Sequence, residues 1–203
     1  MVIVKLGTKS VAANAVANST IAVFYAMGLA VSNLTIPVVG QCIGAGDSKM
    51  ARNYGKKMIW IGEISILLSM AIMAPFIKLI LGLYQAPADT IGDIYKLLVI
   101  IMLPMVLFWS TSNVLPNVLR AAGDVKFTSY VSLAVMWVVR VGLSCLVSIK
   151  LGMGIEGVWL CICMEWLIRS IIFLLRFHSE KWLNAALKGK CRSQKLLIEN
   201  REK

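Results

Sequence analysis

Hydrophobic and polar positions follow one another along this chain in long blocks rather than residue by residue. Five stretches of about 20 residues or more carry almost no charge, and short charged segments separate them. A helix needs about 20 apolar residues to cross a hydrocarbon core of roughly 30 Å. Membrane strands would instead alternate over about 10 residues, with turns between them, and the sequence shows no such alternation. The pattern therefore predicts an all-α, polytopic membrane helix bundle with five complete transmembrane helices.

The predicted spans have bounds at residues 14–43, 58–77, 97–119, 127–149 and 157–175. They belong to one transmembrane bundle of residues 1–182, and a basic cytoplasmic tail follows at residues 183–203. Composition agrees with this division, because 59% of the 203 residues are hydrophobic and the mean hydropathy is +0.79. Soluble domains hold only about 45–50% apolar residues. The lipid bilayer is therefore the expected partner of this surface.

The net charge of +11 does not indicate a nucleic-acid partner, because the basic residues lie between apolar runs rather than in one soluble module. Fourteen lysines and arginines fall on one side of the predicted spans and five on the other. Cytoplasmic loops carry such an excess. The chain is therefore predicted to be a multi-pass protein of the cell (inner) membrane with a cytoplasmic C-terminus.

Five spans then place the N-terminus outside, although the first seven residues have no signal-peptide core. These residues resemble the last turns of a helix. We therefore expect the stub of a preceding helix at this end, with at least one earlier span absent from the sequence.

A short motif occurs at two predicted cytoplasmic corners. Ala45-Gly-Asp-Ser-Lys49 recurs as Ala122-Gly-Asp-Val-Lys126. The glycine of each copy can adopt the left-handed conformation that ends a helix, and the aspartate can cap the next helix. The two copies are either similar helix turns or a repeat of helix hairpins, which many secondary transporters contain.

Five segments, in this order along the chain, resemble the second half of multidrug and toxin extrusion (MATE) transporters. They are VVGQCIGAGD at 38–47, LRAAGDVK at 119–126, WVVR at 137–140, GIEGVW at 154–159 and RFHSEKW at 176–182. The resemblance implies helices eight to twelve, with the stub of helix seven, in the C-terminal lobe of a twelve-helix transporter. It also implies antiport, in which amphipathic or cationic drugs are exported in exchange for sodium ions or protons. The expected partners are drug-like small molecules and an N-terminal transmembrane half, and no cofactor is expected beyond the undetermined coupling ion.

Ionisable residues inside the spans are functional candidates, because a charge in the bilayer costs at least about 2.5–3.5 kcal/mol. Glu165 and Arg169 are four residues apart in the fifth span, and Arg140 lies at a depth from which it could reach Glu165. The three residues form either a static network that fixes helix packing or a coupling switch. Glu63 lies near the cytoplasmic end of its span, where it either reaches the interface or takes part in coupling.

Uncharged polar residues mark a candidate substrate cavity, because a cleft for amphipathic solutes needs hydrogen-bonding groups on an apolar wall. The candidates are Trp109, Asn113 and Asn117 in the third span and Asn14 and Asn18 in the first. Helix packing by polar side chains is the alternative for each of them. Trp109 and Asn113, one turn apart, are the pair most expected on the cavity wall.

The resemblance does not supply a coupling carboxylate. Some family members have one in helix ten, where this chain has Trp109, and the helix-seven carboxylate of others would precede Met1. Coupling is therefore expected to depend on the N-terminal half or on Glu165. No enzyme and no metal site are expected, since the spans lack a Ser/His pair, an Asp pair and HExxH. The alternatives are a lipid-linked sugar flippase, which should have a strongly basic cavity, and a non-transporting truncated remnant.

Overall fold

The computed structural model describes residues 8–83, 91–150, 152–179 and 181–183. In these ranges, five helices are long and apolar enough to cross a membrane. They are α1 (Thr8–Ala45), α2 (Ser48–Leu79), α3 (Ile91–Ala121), α4 (Val125–Ser148) and α5 (Gly154–His178). The predicted all-α membrane bundle is therefore confirmed. The predicted stub at residues 1–7 and the tail from residue 184 lie outside the described residues.

Most of the helices extend beyond the apolar runs that predicted them. The clearest case is α2, which begins at Ser48, ten residues before its predicted span. Its first turns carry basic side chains, and the backbone there is already helical. Asp47 caps this start of the helix, because its carboxylate accepts a hydrogen bond of 2.8 Å from the Met50 N–H. Apolar runs mark the part of a helix inside lipid, and the charged turns at the membrane surface extend it.

The helices pack so that one face of each is buried and the other remains apolar and exposed. Helix α1 lies against α2 and α3, and α5 lies against α3 and α4. On α1, Ala13, Ala17 and Phe24 recur at helical spacing and are buried. On α3, Val99 and Leu103 face outward with 68% of their surface exposed. Exposed side chains of this kind are expected on a bundle whose solvent is lipid.

Helix α3 is irregular near its middle. Pro104 cannot donate a hydrogen bond to the Ile100 carbonyl, and the following segment, Met105–Trp109, widens into a π-helical turn. Side chains of α5 satisfy carbonyls in this region. Ser170 donates a hydrogen bond of 3.0 Å to the Phe108 carbonyl, and the Cys163 thiol lies 3.9 Å from the Ile100 carbonyl oxygen. The π-helical turn is thereby held against α5 beside Trp109.

The two corners with the repeated motif have the same backbone turn. Gly46 and Gly123 have φ angles of 85° and 87°, in the left-handed region that favours glycine. Both corners lie at the same end of the bundle, where Cys42, Ala51 and Leu119 share one buried cluster. The sequence prediction for the two glycines is confirmed.

The prediction that Asp124 caps α4 is wrong. No side-chain cap is made there, and the Asp124 carboxylate instead accepts a hydrogen bond of 2.8 Å from Arg176 Nε at the end of α5. The guanidinium also lies over the Phe127 ring, 4.6 Å from its centre. A charged guanidinium binds a carboxylate more strongly than a backbone amide does. The second copy of the motif therefore joins the α3–α4 corner to α5.

Candidate functional site

A cavity of about 340 Å³ opens between α1, α3, α4 and α5. It lies close to the middle of the membrane-spanning helices, since Glu165 is near the midpoint of α5 and Trp109 near that of α3. Its lining combines charged, amide and aromatic side chains with aliphatic ones. The charged and amide residues are Arg140, Glu165, Arg169, Asn18 and Asn113, and the aromatic residues are Tyr25, Trp109, Trp159 and Trp166.

Three of the four ion-pair candidates meet on one side of this cavity. Glu165, with 3% of its side chain exposed, lies between Arg140 of α4 and Arg169 of its own helix. Arg140 Nε is 2.9 Å from Glu165 Oε2. The two atoms form an ion pair, but the N–H does not point at the oxygen well enough to make a hydrogen bond. Arg169 Nη1 donates to Glu165 Oε1 at 3.4 Å. The carboxylate therefore joins α5 to α4 through Arg140 and contacts a second guanidinium, Arg169, within α5.

The two arginines differ in their surroundings. Arg169 is mostly enclosed, with 17% of its side chain exposed, and it lies 6.0 Å from the centre of the Phe173 ring. Its Nη2 is 3.5 Å from the Ser132 hydroxyl. Arg140 has 46% of its side chain exposed, although it belongs to the middle part of α4. An exposed guanidinium at this depth requires water or another polar surface beside it, because lipid would not solvate the charge.

Aromatic side chains form another part of the cavity wall. The Tyr25 ring stacks on Trp109, with centres 5.4 Å apart and planes at 21°. Trp159 donates a hydrogen bond of 3.1 Å from Nε1 to the Asn14 side-chain oxygen, and Asn18 Nδ2 also donates to that oxygen, at 3.0 Å. Asn14 is thus a support that orients the wall, whereas Asn18 reaches the cavity itself.

Asn113 lines the cavity beside Trp109, and its amide donates a hydrogen bond of 2.8 Å to the Trp109 carbonyl. The pair singled out from the sequence is thus brought together at the cavity. Asn117, one turn further along α3, lies elsewhere: it is buried and donates to the Ser32 carbonyl at 2.9 Å. It also accepts from Arg120 Nη1 at 3.2 Å. Asn117 therefore joins α3 to α1 and does not line the cavity.

Glu63 also lies away from the ion-paired group. It lines a separate, mostly apolar groove of about 300 Å³ between α2 and α5, with Trp60, Leu174 and His178. One of its carboxylate oxygens is buried and accepts no hydrogen bond from the described residues. Among the described residues, Glu63 therefore forms no ion pair with Arg140 or Arg169, which both pair with Glu165.

Sequence reasoning missed Tyr25, Trp159 and Trp166 as lining residues. A signal was available for Tyr25, because Asn14, Asn18 and Tyr25 recur at intervals of four and seven residues and share one face of α1. A signal was also available for Trp159 and Trp166, because they lie ten and three residues before Arg169 and share one face of α5 with it.

The arrangement is suited to binding rather than to covalent chemistry. A stacked aromatic pair offers a flat apolar surface, the amides offer donors and acceptors, and the charged group offers a site that an ion or a charged solute can contact. Among the described residues, no group of His, Cys, Asp and Glu side chains is placed to hold a metal ion.

Comparison with known proteins gives one family match. The model of the family described as MatE matches residues 1–146, which includes α1 to α3 and Arg140 of α4, whereas Glu165 and Arg169 lie beyond the match. Two similar proteins are named "Probable multidrug resistance protein NorM". The Pseudomonas aeruginosa protein is 31% identical over 158 residues, which cover 76% of this chain and 32% of the relative. The Synechococcus sp. protein is 29% identical over 181 residues, which cover 85% of this chain and 38% of the relative.

A third similar protein is the "Uncharacterized transporter YisQ" of Bacillus subtilis. It is 29% identical over 161 residues, 79% of this chain and 35% of the relative. The chain thus spans about a third of the length of these relatives. No solved structure gives a significant match.

Proposed function

The chain belongs to the MatE family, and on this premise we propose that it forms the C-terminal lobe of a multidrug efflux transporter that exports amphipathic or cationic compounds. The single observation that carries the proposal is the mid-span cavity, which Trp109, Asn113 and Asn18 line beside three charged residues. Two similar proteins named for multidrug resistance support the substrate class. The family consists of transporters, which supports a role other than catalysis.

Transport requires the cavity to open alternately to the two sides of the membrane. Helix bundles of secondary transporters do this by moving one bundle against another around a central site. The proposed partner is therefore an N-terminal transmembrane half, and the half-exposed Arg140 side chain would face the water-filled space between the two halves. The proposed location is the inner membrane, with the C-terminus and the tail of residues 183–203 in the cytoplasm.

Coupling to sodium ions or protons is proposed to act through Glu165. Its carboxylate, on α5, joins this helix to α4 through Arg140, whereas its contact with Arg169 lies within α5. A sodium ion or a proton on Oε2 would compete with Arg140 for the same oxygen and weaken the link between the helices. The alternative is a static network that serves only helix packing, and it predicts no effect of the coupling ion on this contact.

The proposal is tested by ethidium retention in an efflux-deficient bacterium. The chain is expressed alone and together with the N-terminal half of the Pseudomonas aeruginosa NorM relative. We expect lower ethidium retention only when both halves are present. Export by the chain alone would contradict the need for a second bundle, and no export by either combination would favour a non-transporting protein.

Glu165→Gln tests the coupling role in the same assay. We expect this substitution to reduce efflux by about tenfold or more per inserted molecule. The neutral amide of glutamine has no negative charge for which Arg140 and the coupling ion could compete. Glu156→Gln is the matched control, because Glu156 is on the same helix and has an exposed partner in Lys96. Unchanged efflux in Glu165→Gln would assign the residue to packing alone.

A lipid-linked sugar flippase is less well supported as a function. It calls for a strongly basic central cavity, and the two arginines that line this cavity share the carboxylate of Glu165. The family match and the names of the relatives also favour drug export.

A further inference from the structure

The groove between α2 and α5, away from the mid-span cavity, is basic at one end and apolar along its walls. Its volume is about 300 Å³. Two exposed side chains lie at the basic end: Lys56 of α2 and His178, the last residue of α5. The walls further in are formed by apolar and aromatic side chains, among them Ile59, Trp60 and Leu174. Such a groove suits an amphiphile with an anionic head and a hydrocarbon tail.

The basic end lies at the level of the membrane surface. The apolar run of α2 begins at residue 58 and that of α5 ends at residue 175, so Lys56 and His178 are two and three residues outside these runs. Trp60 and Leu174 lie just inside them. Phosphates lie outside the hydrocarbon core, and tryptophan is enriched at its boundary. The groove therefore has basic groups at the depth of lipid phosphates and apolar groups at the depth of acyl chains.

No described carboxylate neutralises the basic end of the groove. Among the described residues, Lys56 forms no ion pair. Asp47 and Asp124 lie at the same end of the bundle, but Asp47 caps α2 and Asp124 binds Arg176. The Nδ1 atom of His178 is 3.0 Å from a backbone carbonyl oxygen of its own helix, and no described residue contacts Nε2 through a hydrogen bond. Both side chains therefore have donor capacity for an external anion.

The carboxylate of Glu63 lines the inner end of the groove, with Thr111. Glu63 is seven residues after Lys56, which corresponds to about 10 Å along the helix axis. It therefore lies at the depth of acyl chains rather than of phosphates. A negative charge there disfavours an anion at the inner end. An anionic amphiphile can therefore enter the groove in one direction, with its head at Lys56.

We propose that this groove binds an anionic phospholipid, with the phosphate between Lys56 and His178 and one acyl chain between Trp60 and Leu174. The lipid comes from the leaflet at the end of the bundle where the two corner motifs lie. A zwitterionic lipid is disfavoured, because its ammonium group would lie beside two basic side chains without a carboxylate of the groove at that depth. A soluble anion would leave the apolar walls uncovered, and Trp60 has 70% of its surface exposed.

The internal repeat provides a matched reference position. The two copies of the corner motif lie 77 residues apart, and the same offset relates Trp60 to Trp137. Both tryptophans are twelve residues after the first residue of their helices, α2 and α4, and they are 70% and 63% exposed. One turn before Trp60 the chain has Lys56, whereas one turn before Trp137 it has Leu133. Lipid can therefore contact the two tryptophans at equal depth, with a basic residue beside Trp60 and an apolar one beside Trp137.

The test is quenching of tryptophan fluorescence by lipids with brominated acyl chains, on the full chain in nanodiscs. The signals of Trp60 and Trp137 are obtained by subtracting the spectra of Trp60→Phe and Trp137→Phe. Brominated phosphatidylglycerol is compared with brominated phosphatidylcholine of the same chains. We expect a preference for phosphatidylglycerol of about fivefold or more at Trp60, the effect of one basic side chain, and a ratio near one at Trp137. Arg140, which follows Trp137, is paired with Glu165 and should not raise that ratio.

Equal ratios at the two tryptophans would assign any preference to the net charge of the chain and overturn the proposal. A preference for phosphatidylcholine at Trp60 would overturn it too. Replacing chloride by inorganic phosphate at equal ionic strength should leave the ratio at Trp60 unchanged. Loss of the preference in phosphate would assign the basic end to a soluble anion and refute the lipid site.

Variants locate the preference. Lys56→Gln should lower the ratio at Trp60 to near that at Trp137, and its exposed position makes misfolding a minor concern. Lys56→Arg should retain the preference, because the charge remains. Lys126→Gln removes an exposed positive charge at the same end of the bundle that does not line the groove, and it should leave the ratio unchanged. A preference that survives Lys56→Gln would refute the assigned site.

The lipid site does not depend on the proposed transport function, because lipid binding requires no export. A chain that exports no ethidium but prefers phosphatidylglycerol at Trp60 would refute the proposed function and retain this site. Ethidium export with equal ratios at Trp60 and Trp137 would do the reverse.

Discussion

Replacing Glu165 with glutamine should destabilise the bundle far more than the same change at an exposed ion pair. The carboxylate is 3% exposed and its oxygens lie 2.9 and 3.4 Å from two guanidinium nitrogens. At an effective dielectric constant of about 20, each contact corresponds to roughly 5–6 kcal/mol of Coulomb energy before desolvation is subtracted. Removing one partner of a buried pair typically costs about 3–5 kcal/mol. We expect the lower end, about 3 kcal/mol, because Arg140 is half exposed and water screens its charge.

The free energy of unfolding is measured by SDS titration of the purified chain in mixed micelles. Glu156→Gln serves as the control on the same helix: its partner Lys96 is 3.8 Å away, both side chains are largely exposed, and such pairs contribute about 0–1 kcal/mol. The double variant Glu165→Gln, Arg169→Gln should recover part of the loss, because it leaves one uncompensated guanidinium instead of two. A Glu165→Gln loss no larger than that of Glu156→Gln would refute the assignment of Glu165 as a buried link between α4 and α5.

Other substitutions test helix packing and the corners. Gly28→Ala places a methyl group 2.8 Å from the Trp109 ring and should cost about 1–3 kcal/mol by overpacking, with a change in tryptophan fluorescence. Gly40→Ala on the same helix meets no atom within 4 Å and should be neutral or stabilise by up to about 1 kcal/mol. Asp124→Asn should cost about 2 kcal/mol in the same SDS titration, because Arg176 loses its carboxylate. Equal effects of the two alanine variants, or no effect at Asp124, would contradict these contacts.

The spans were predictable because lipid requires a certain length and an apolar composition of each helix, and both can be recognised in the sequence without knowing the fold. The turns at Gly46 and Gly123 were also predictable, since the conformation that ends a helix depends on one residue type. The role of Asp124 was not. Arg176 is 52 residues away in sequence, and only the packing of α5 against the corner brings it to the carboxylate.

The candidate site was predictable where residues share one helix, and less so where helices meet. Glu165 and Arg169 are one turn apart, so their contact follows from helical spacing. Asn117 is one turn from Asn113 and has the same side chain, yet it binds Ser32 of α1, 85 residues away. Its direction depends on the packing of α1 against α3, which apolar periodicity does not specify. The wide turn after Pro104 further changes which side chains of α3 face the cavity.

Thiol labelling tests most directly whether a water-filled cavity lies inside a lipid-embedded bundle. In a variant without native cysteines, Asn113→Cys and Leu103→Cys place single thiols on α3, one lining the cavity and the other on the outward face with 68% exposure. A membrane-impermeant maleimide is added to each in native membranes, with the N-terminal half present. We predict that position 113 reacts and that position 103 remains unlabelled. Labelling of position 103 at an equal rate, or no labelling of position 113 from either side of the membrane, would contradict a solute cavity enclosed by these helices.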